Sequence, residues 1–168
     1  MKAVQRVPLG AAMALLGLIA CAEEEAPRAA LYPADFMSSW HEARDCRHSH
    51  EHELNHIRVF ANDLAKVPYD TLSADQPYLP GATLVKVQYD DEDCTQLLGY
   101  TVLARQAVGY SPGTFDWRWQ RLDAEERVLE DGPHLPRCLA CHAVHCTPPS
   151  GAGFELTCAD DSAPVRAP

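Results

Sequence analysis

Positive charge is in short supply. The 168 residues carry 14 Lys and Arg against 24 Asp and Glu, a formal net charge of -10 with histidines neutral. Such a surface repels phosphate backbones and excludes nucleic acid as a partner. Long apolar runs are also missing: the longest, residues 7–19, falls short of the roughly 20 residues a membrane-spanning helix needs. Methionine is scarce, with three in the chain and none after Met37, so the later part of the chain offers no thioether ligand to a metal. No acidic residue lies between Gln96 and Gly109, which leaves that stretch without a carboxylate base. No repeat of useful length is present.

What is there begins with an export signal. Lys2 and Arg6 precede the apolar run, which ends in Leu18-Ile19-Ala20-Cys21. Those last four residues resemble a bacterial lipoprotein box, in which the cysteine takes a lipid and becomes the first residue of the mature chain. The resemblance implies lipidation at Cys21 and, because Ala22 follows, a place on the periplasmic face of the outer membrane; a plain secreted protein is the alternative. Residues 21–33 (CAEEEAPRAALYP) read as a charged tether, 34–160 as one domain and 161–168 as a flexible tail.

An oxidising compartment changes the meaning of the seven cysteines. Setting aside Cys21 and the pair in Cys138-Leu-Ala-Cys141-His142 leaves Cys46, Cys94, Cys146 and Cys158, with three connectivities open. Loop length favours Cys146 with Cys158 and Cys46 with Cys94.

The C-x-x-C-H stretch is the most specific signal. On a helix Cys138, Cys141 and His142 share one face, which suits two thiols adding to porphyrin vinyl groups while the histidine ligates iron. A zinc site drawing in His145 and Cys146 is an alternative, and a redox dithiol another, although that would not require His142. With no methionine downstream, an iron held by His142 alone has an open position for a small ligand.

Elsewhere the pattern is mainly β with a few helices. Residues 34–43 read as a helix burying Phe36, Met37 and Trp40. Residues 54–61 read as extended, 62–66 as a turn of helix, and 82–89, 96–108 and 115–122 as strands. Val85 and Val87 take one face of their strand and Leu84, Lys86 and Gln88 the other. In the last strand Phe115, Trp117 and Trp119 alternate with Asp116, Arg118 and Gln120, the tryptophans as core or dimer-contact residues. Short strands between Gly, Pro and Asp turns imply an antiparallel α+β sheet and exclude a four-helix cytochrome.

Taken in order, HIRVFANDLA, PGATLVKVQYD, GTFDWRWQRLD and CLACH resemble the cytochrome P-460 family, which includes the β-sheet form of cytochrome c-prime. The resemblance covers about residues 34–145. It implies an antiparallel sheet packed on one covalent haem c, commonly a homodimer, acting on hydroxylamine or binding nitric oxide. Carried over, Cys138 and Cys141 are the thioether residues and His142 the proximal ligand. Lys86 matches a lysine that hydroxylamine-oxidising members join to the porphyrin edge. The distal carboxylate the resemblance leads one to expect after that lysine is absent, leaving Tyr100, Thr101 and Arg105 as polar candidates to act on a bound ligand. The expectation is an oxidoreductase with a periplasmic redox partner; a nitric-oxide binder and an electron carrier closed by His48 or another histidine are the alternatives.

Two clusters have plainer readings. His48, His50 and His52 would share a face if extended, flanked by His41 and His56; H-x-H spacing can bind copper or zinc, but a solvated group or neighbours of haem propionates reads better. Asp90 to Asp93 read as a solvated acidic loop.

Overall fold

The computed structural model describes residues 28–49, 52, 55–147 and 153–158. The lipoprotein-like box with Cys21, His50 and the tail 161–168 lie outside the described residues. Six strands, β1 (His41–His48), β2 (His56–Ala61), β3 (Thr83–Tyr89), β4 (Leu97–Arg105), β5 (Trp117–Asp123) and β6 (Val128–Gly132), pair antiparallel in sequence order as one sheet. Three α-helices attend it: α1 (Phe36–Ser39), α2 (Asp63–Thr71) and α3 (Pro136–His145). The mainly-β, α+β reading is correct.

Both faces of the sheet are apolar, because the strands alternate two sets of buried side chains rather than one buried and one solvated set. On one face Tyr32, Phe36, Phe60, Val85, Val87, Tyr100, Val102 and Leu122 form a core. On the other, Ile57, Val59, Leu84, Leu103, Trp117 and Trp119 form a second core with Ala65 and Tyr69 of α2. Cross-strand register sets what the second face presents. One row runs Arg44, Val59, Lys86, Thr101, Arg121, Glu130 across all six strands.

Where the structure departs from the sequence reading, local bonding and register explain why. The helix expected over 34–43 is only α1: Ser38 and Ser39 hydroxyls donate back to the Asp35 carbonyl, Trp40 is extended, and His41 to Ala43 enter β1 to pair with β2. Phe36 is buried, but Met37 is exposed and not in the core. Phe115 also leaves its predicted strand: with Asp116 it adopts positive φ, and the Asp116 carboxylate accepts from Gly109 N and Ser111 N to close the turn. Trp117 and Trp119 are fully buried in the core. Residues 29–32, read as tether, are fastened to the sheet. Gln120, almost fully buried, donates to the Ala29 carbonyl (2.8 Å) and accepts from Leu31 N (3.0 Å), while Tyr32 packs between Phe36 and Tyr100.

Candidate functional site

α3 starts at Pro136, which needs no amide partner there, and places Cys138, Cys141 and His142 along one side of the helix. That side closes a cavity of about 480 Å³ over the second sheet face, in the size range of small-molecule and cofactor sites. Ile57, Val59, Leu84, Leu103 and Trp119 make its apolar wall; Arg44, Arg47, Lys86, Arg121 and Arg137 bring positive charge to it. No Asp or Glu lines it among the described residues, in a chain with a net charge of -10.

His142 is held in one orientation. Its Nδ1 donates to the Leu156 carbonyl at 2.7 Å, leaving Nε2 with its lone pair, and its ring meets Trp119 edge-on at 4.9 Å. Burial, then the nearby Lys86 charge, pushes its pKa down to about 4, so the imidazole is neutral at neutral pH. The segment supplying Leu156 is a small hairpin, residues 153–158, closed by a Phe154–Thr157 bridge and tied to the end of α3 by the Cys146–Cys158 disulfide. Trp117 Nε1 donates to the Glu155 carbonyl (2.7 Å), Arg105 pairs with the Glu155 carboxylate (2.8 Å), and the Thr157 and Tyr78 hydroxyls hydrogen-bond at 2.9 Å. Gly153 is required there, since a Cβ would lie 2.3 Å from the Thr157 carbonyl oxygen.

Cys138 and Cys141 are free thiols. Burial, with Glu130 nearby, pushes the Cys138 thiol up to about 11, the opposite of the low pKa a redox dithiol uses. The zinc alternative loses Cys146 to its disulfide with Cys158. Among the described residues no group of three or more His, Cys, Asp or Glu is arranged to hold a metal ion. The remaining pair, Cys46 and Cys94, also forms a disulfide, so both loop-favoured pairings are present.

The sequence-proposed polar candidates separate. Lys86 and Thr101 line the cavity. Tyr100 is buried in the core of the opposite sheet face, and Arg105 lies beyond the cavity, engaged with Glu155 and the Trp117 ring. His48 and His52, the described members of the expected histidine row, have different surroundings. His48 meets His56, and His41 lies 3.9 Å from Asp70, whereas His52 turns into the cavity. There Lys86 Nζ lies 3.2 Å and 3.3 Å from its two ring nitrogens, and Ser49 Oγ lies 3.1 Å from Nδ1. Burial, then Lys86 and His142, holds the His52 pKa far below the usual histidine value. Of the acidic loop, Asp91 accepts hydrogen bonds from the Thr95 and Gln96 amides.

Sequence reasoning missed the arginines, Trp119 and the Leu156 carbonyl as parts of this site. Only the strand arginines Arg44, Arg47 and Arg121 left a signal, falling on the Lys86 face once the register is known. No protein-family model matches the chain, and the curated proteins contain no match to it.

Proposed function

We propose that the cavity holds one haem c, joined through Cys138 and Cys141 and ligated by His142, in an exported, lipid-anchored protein of the cytochrome P-460 kind. Its substrate is then a small nitrogenous molecule, hydroxylamine or nitric oxide, with a periplasmic redox partner. The observation that carries this reading is the bond from His142 Nδ1 to the Leu156 carbonyl, which frees Nε2 toward a cavity bordered by two free thiols on the same helix. Two further features support it. Trp119 Nε1 is buried without a hydrogen-bond partner among the described residues, at a wall this large group would cover. Arg44, Arg47 and Arg121 are paired with Asp70, Asp45 and Glu130, none of which lines the cavity, and these arginines border it with Arg137 where an anionic cofactor edge would lie.

A bound haem supplies a redox-active iron. The chain's own residues do the rest: the hairpin fixes the His142 tautomer, the apolar wall packs against the cofactor, and Lys86 and Thr101 are among the cavity groups able to donate to a ligand. An electron carrier is the second reading, favoured by His52 in the cavity. The test is production with a c-type maturation system. The haem is expected to stay with the polypeptide through denaturation and acidic organic extraction, adding its mass to the intact chain. Stoichiometric zinc with no covalent haem would overturn the reading.

A further inference from the structure

We propose that His52 is the resting ligand on the iron face opposite His142, displaced when a small ligand binds. This rests on the haem reading above and adds a gate to it.

The two rings both line the cavity and meet edge-on, with centroids 6.3 Å apart and planes at 83°. Two imidazoles sharing one metal through bonds of about 2.0 Å each place their centroids about 6 Å apart. A histidine that only hydrogen-bonded a ligand on the metal would stand farther away by roughly 3 Å, the length of that hydrogen bond. The observed separation therefore matches direct ligation.

The local fold presents His52 for this. The turn after β1 is closed by Ser49 N donating to the Asn55 carbonyl and Asn55 N donating to the His52 carbonyl, both at 2.9 Å. The buried Ser49 hydroxyl lies 3.1 Å from Nδ1, so Nε2, whose neighbour is the Lys86 amine, is the nitrogen that can exchange its partner for a metal. Other sources of a sixth ligand are worse placed among the described residues. Met37 is exposed on α1, which packs on the opposite sheet face; His48 packs on His56; His145 lies one turn from His142 on the same helix.

Lys86 supplies the second position of the gate. Its Nζ stands 3.2 Å from His52 Nε2 in the arrangement described, which is the partner this nitrogen has while no metal is bound; ligation exchanges that contact for the iron with the ring already at ligating separation from His142. Two arrangements with different partners for the same nitrogen make a two-state element that an incoming ligand biases. If the ligand-accessible form is about one tenth of the total, apparent affinity falls about tenfold.

The test uses the full-length haem protein, its covalent haem verified by intact mass, as wild type, His52→Ala and His52→Met. Wild type is expected to be low-spin in both oxidation states by optical and spin-resonance spectra, and His52→Ala high-spin, returning to low-spin with added imidazole. Carbon monoxide should bind reduced wild type at a rate that saturates with ligand concentration, because His52 release becomes limiting, and His52→Ala at a rate that rises linearly. A high-spin wild type, or a low-spin His52→Ala, overturns the proposal while leaving the haem reading intact. Should His52→Ala not fold, His52→Met decides: a new methionine-type near-infrared band supports the proposal and an unchanged wild-type spectrum overturns it. A wild type without covalent haem overturns both readings, and the mass tells that case apart.

Discussion

At the scale of single residues, a carbonyl and an amine do most to define the site. The Leu156 carbonyl decides which nitrogen of His142 is free, and the Lys86 amine stands 3.2 Å and 3.3 Å from the two ring nitrogens of His52. The Lys86 amine lines the cavity, as a porphyrin cross-link would require, but it is engaged with both ring nitrogens of His52. Peptide mapping is therefore expected to return a haem peptide containing Cys138 to His142 alone; one that also carries Lys86 would establish the cross-link and favour a hydroxylamine oxidase. A second residue-scale expectation concerns Asp131, whose carboxylate is 3 % exposed and accepts from Arg118 Nε at 2.7 Å. The Arg118 hydrogen bond, opposed by burial, lowers the Asp131 pKa. A carboxyl whose pKa is lower folded than unfolded contributes stability above its unfolded pKa, near 4, and loses it as pH falls through the folded value. Asp131→Asn should cost about 1–3 kcal/mol at neutral pH. Its loss of stability on acidification should be shallower than the wild type's, as read from thermal midpoints across pH 7 to 3.

At the scale of elements, the strands were legible where alternation and length agreed. Residues 82–89 were read to within a residue of β3, with Lys86 on its own face. β6 was not read at all: Val128 and Leu129 are its only apolar positions, and it pairs with β5 by register alone. α2 was read only as a turn because Pro68 interrupts its pattern, yet it runs to Thr71 once Asn62 caps it. Asn62 does more than cap. Its Oδ1 accepts from Ala65 N and Thr83 N, both at 3.1 Å, and its Nδ2 donates to the Gly81 carbonyl at 2.8 Å, joining α2 to the start of β3. Asn62→Ala should destabilise the protein by about 2 kcal/mol in chemical denaturation. The two disulfides separate stability from site geometry. Cys46 and Cys94 close a separation of 48 residues and Cys146 and Cys158 one of 12, so loop entropy assigns about 4 and about 3 kcal/mol respectively. Replacing the first pair by alanine should lower the denaturation midpoint more, whereas replacing the second should be the one that alters the haem spectrum, because it releases the hairpin carrying Leu156.

At the scale of the whole molecule, the site is assembled from segments that sequence proximity cannot join: Ser49 and His52 from the turn after β1, Lys86 from β3, Trp119 from β5, α3, and a hairpin after it. Only Cys138, Cys141 and His142 stand together in the chain, which is why they alone were legible as a unit, and His52 became visible as a site residue only through the turn that folds it inward. The proposed lipid attachment lies at the other end of the sequence. No helix among the described residues is long and apolar enough to cross a bilayer. The first described segment is bonded to Gln120, a residue of β5 that shares strand parity with the core on the sheet face away from the cavity. Between Cys21 and Ala29 the chain can span at most about 28 Å fully extended, so a lipid on Cys21 would hold Ala29 within that distance of the membrane surface. Cys21 is far in sequence from Cys138, Cys141 and His142. Cys21→Ala is therefore expected to move the protein from the membrane to the soluble fraction of exported protein, with covalent haem content and denaturation midpoint unchanged. Equal membrane retention of the variant would remove the lipid anchor, and loss of haem along with it would mean that export itself, rather than anchoring, had failed.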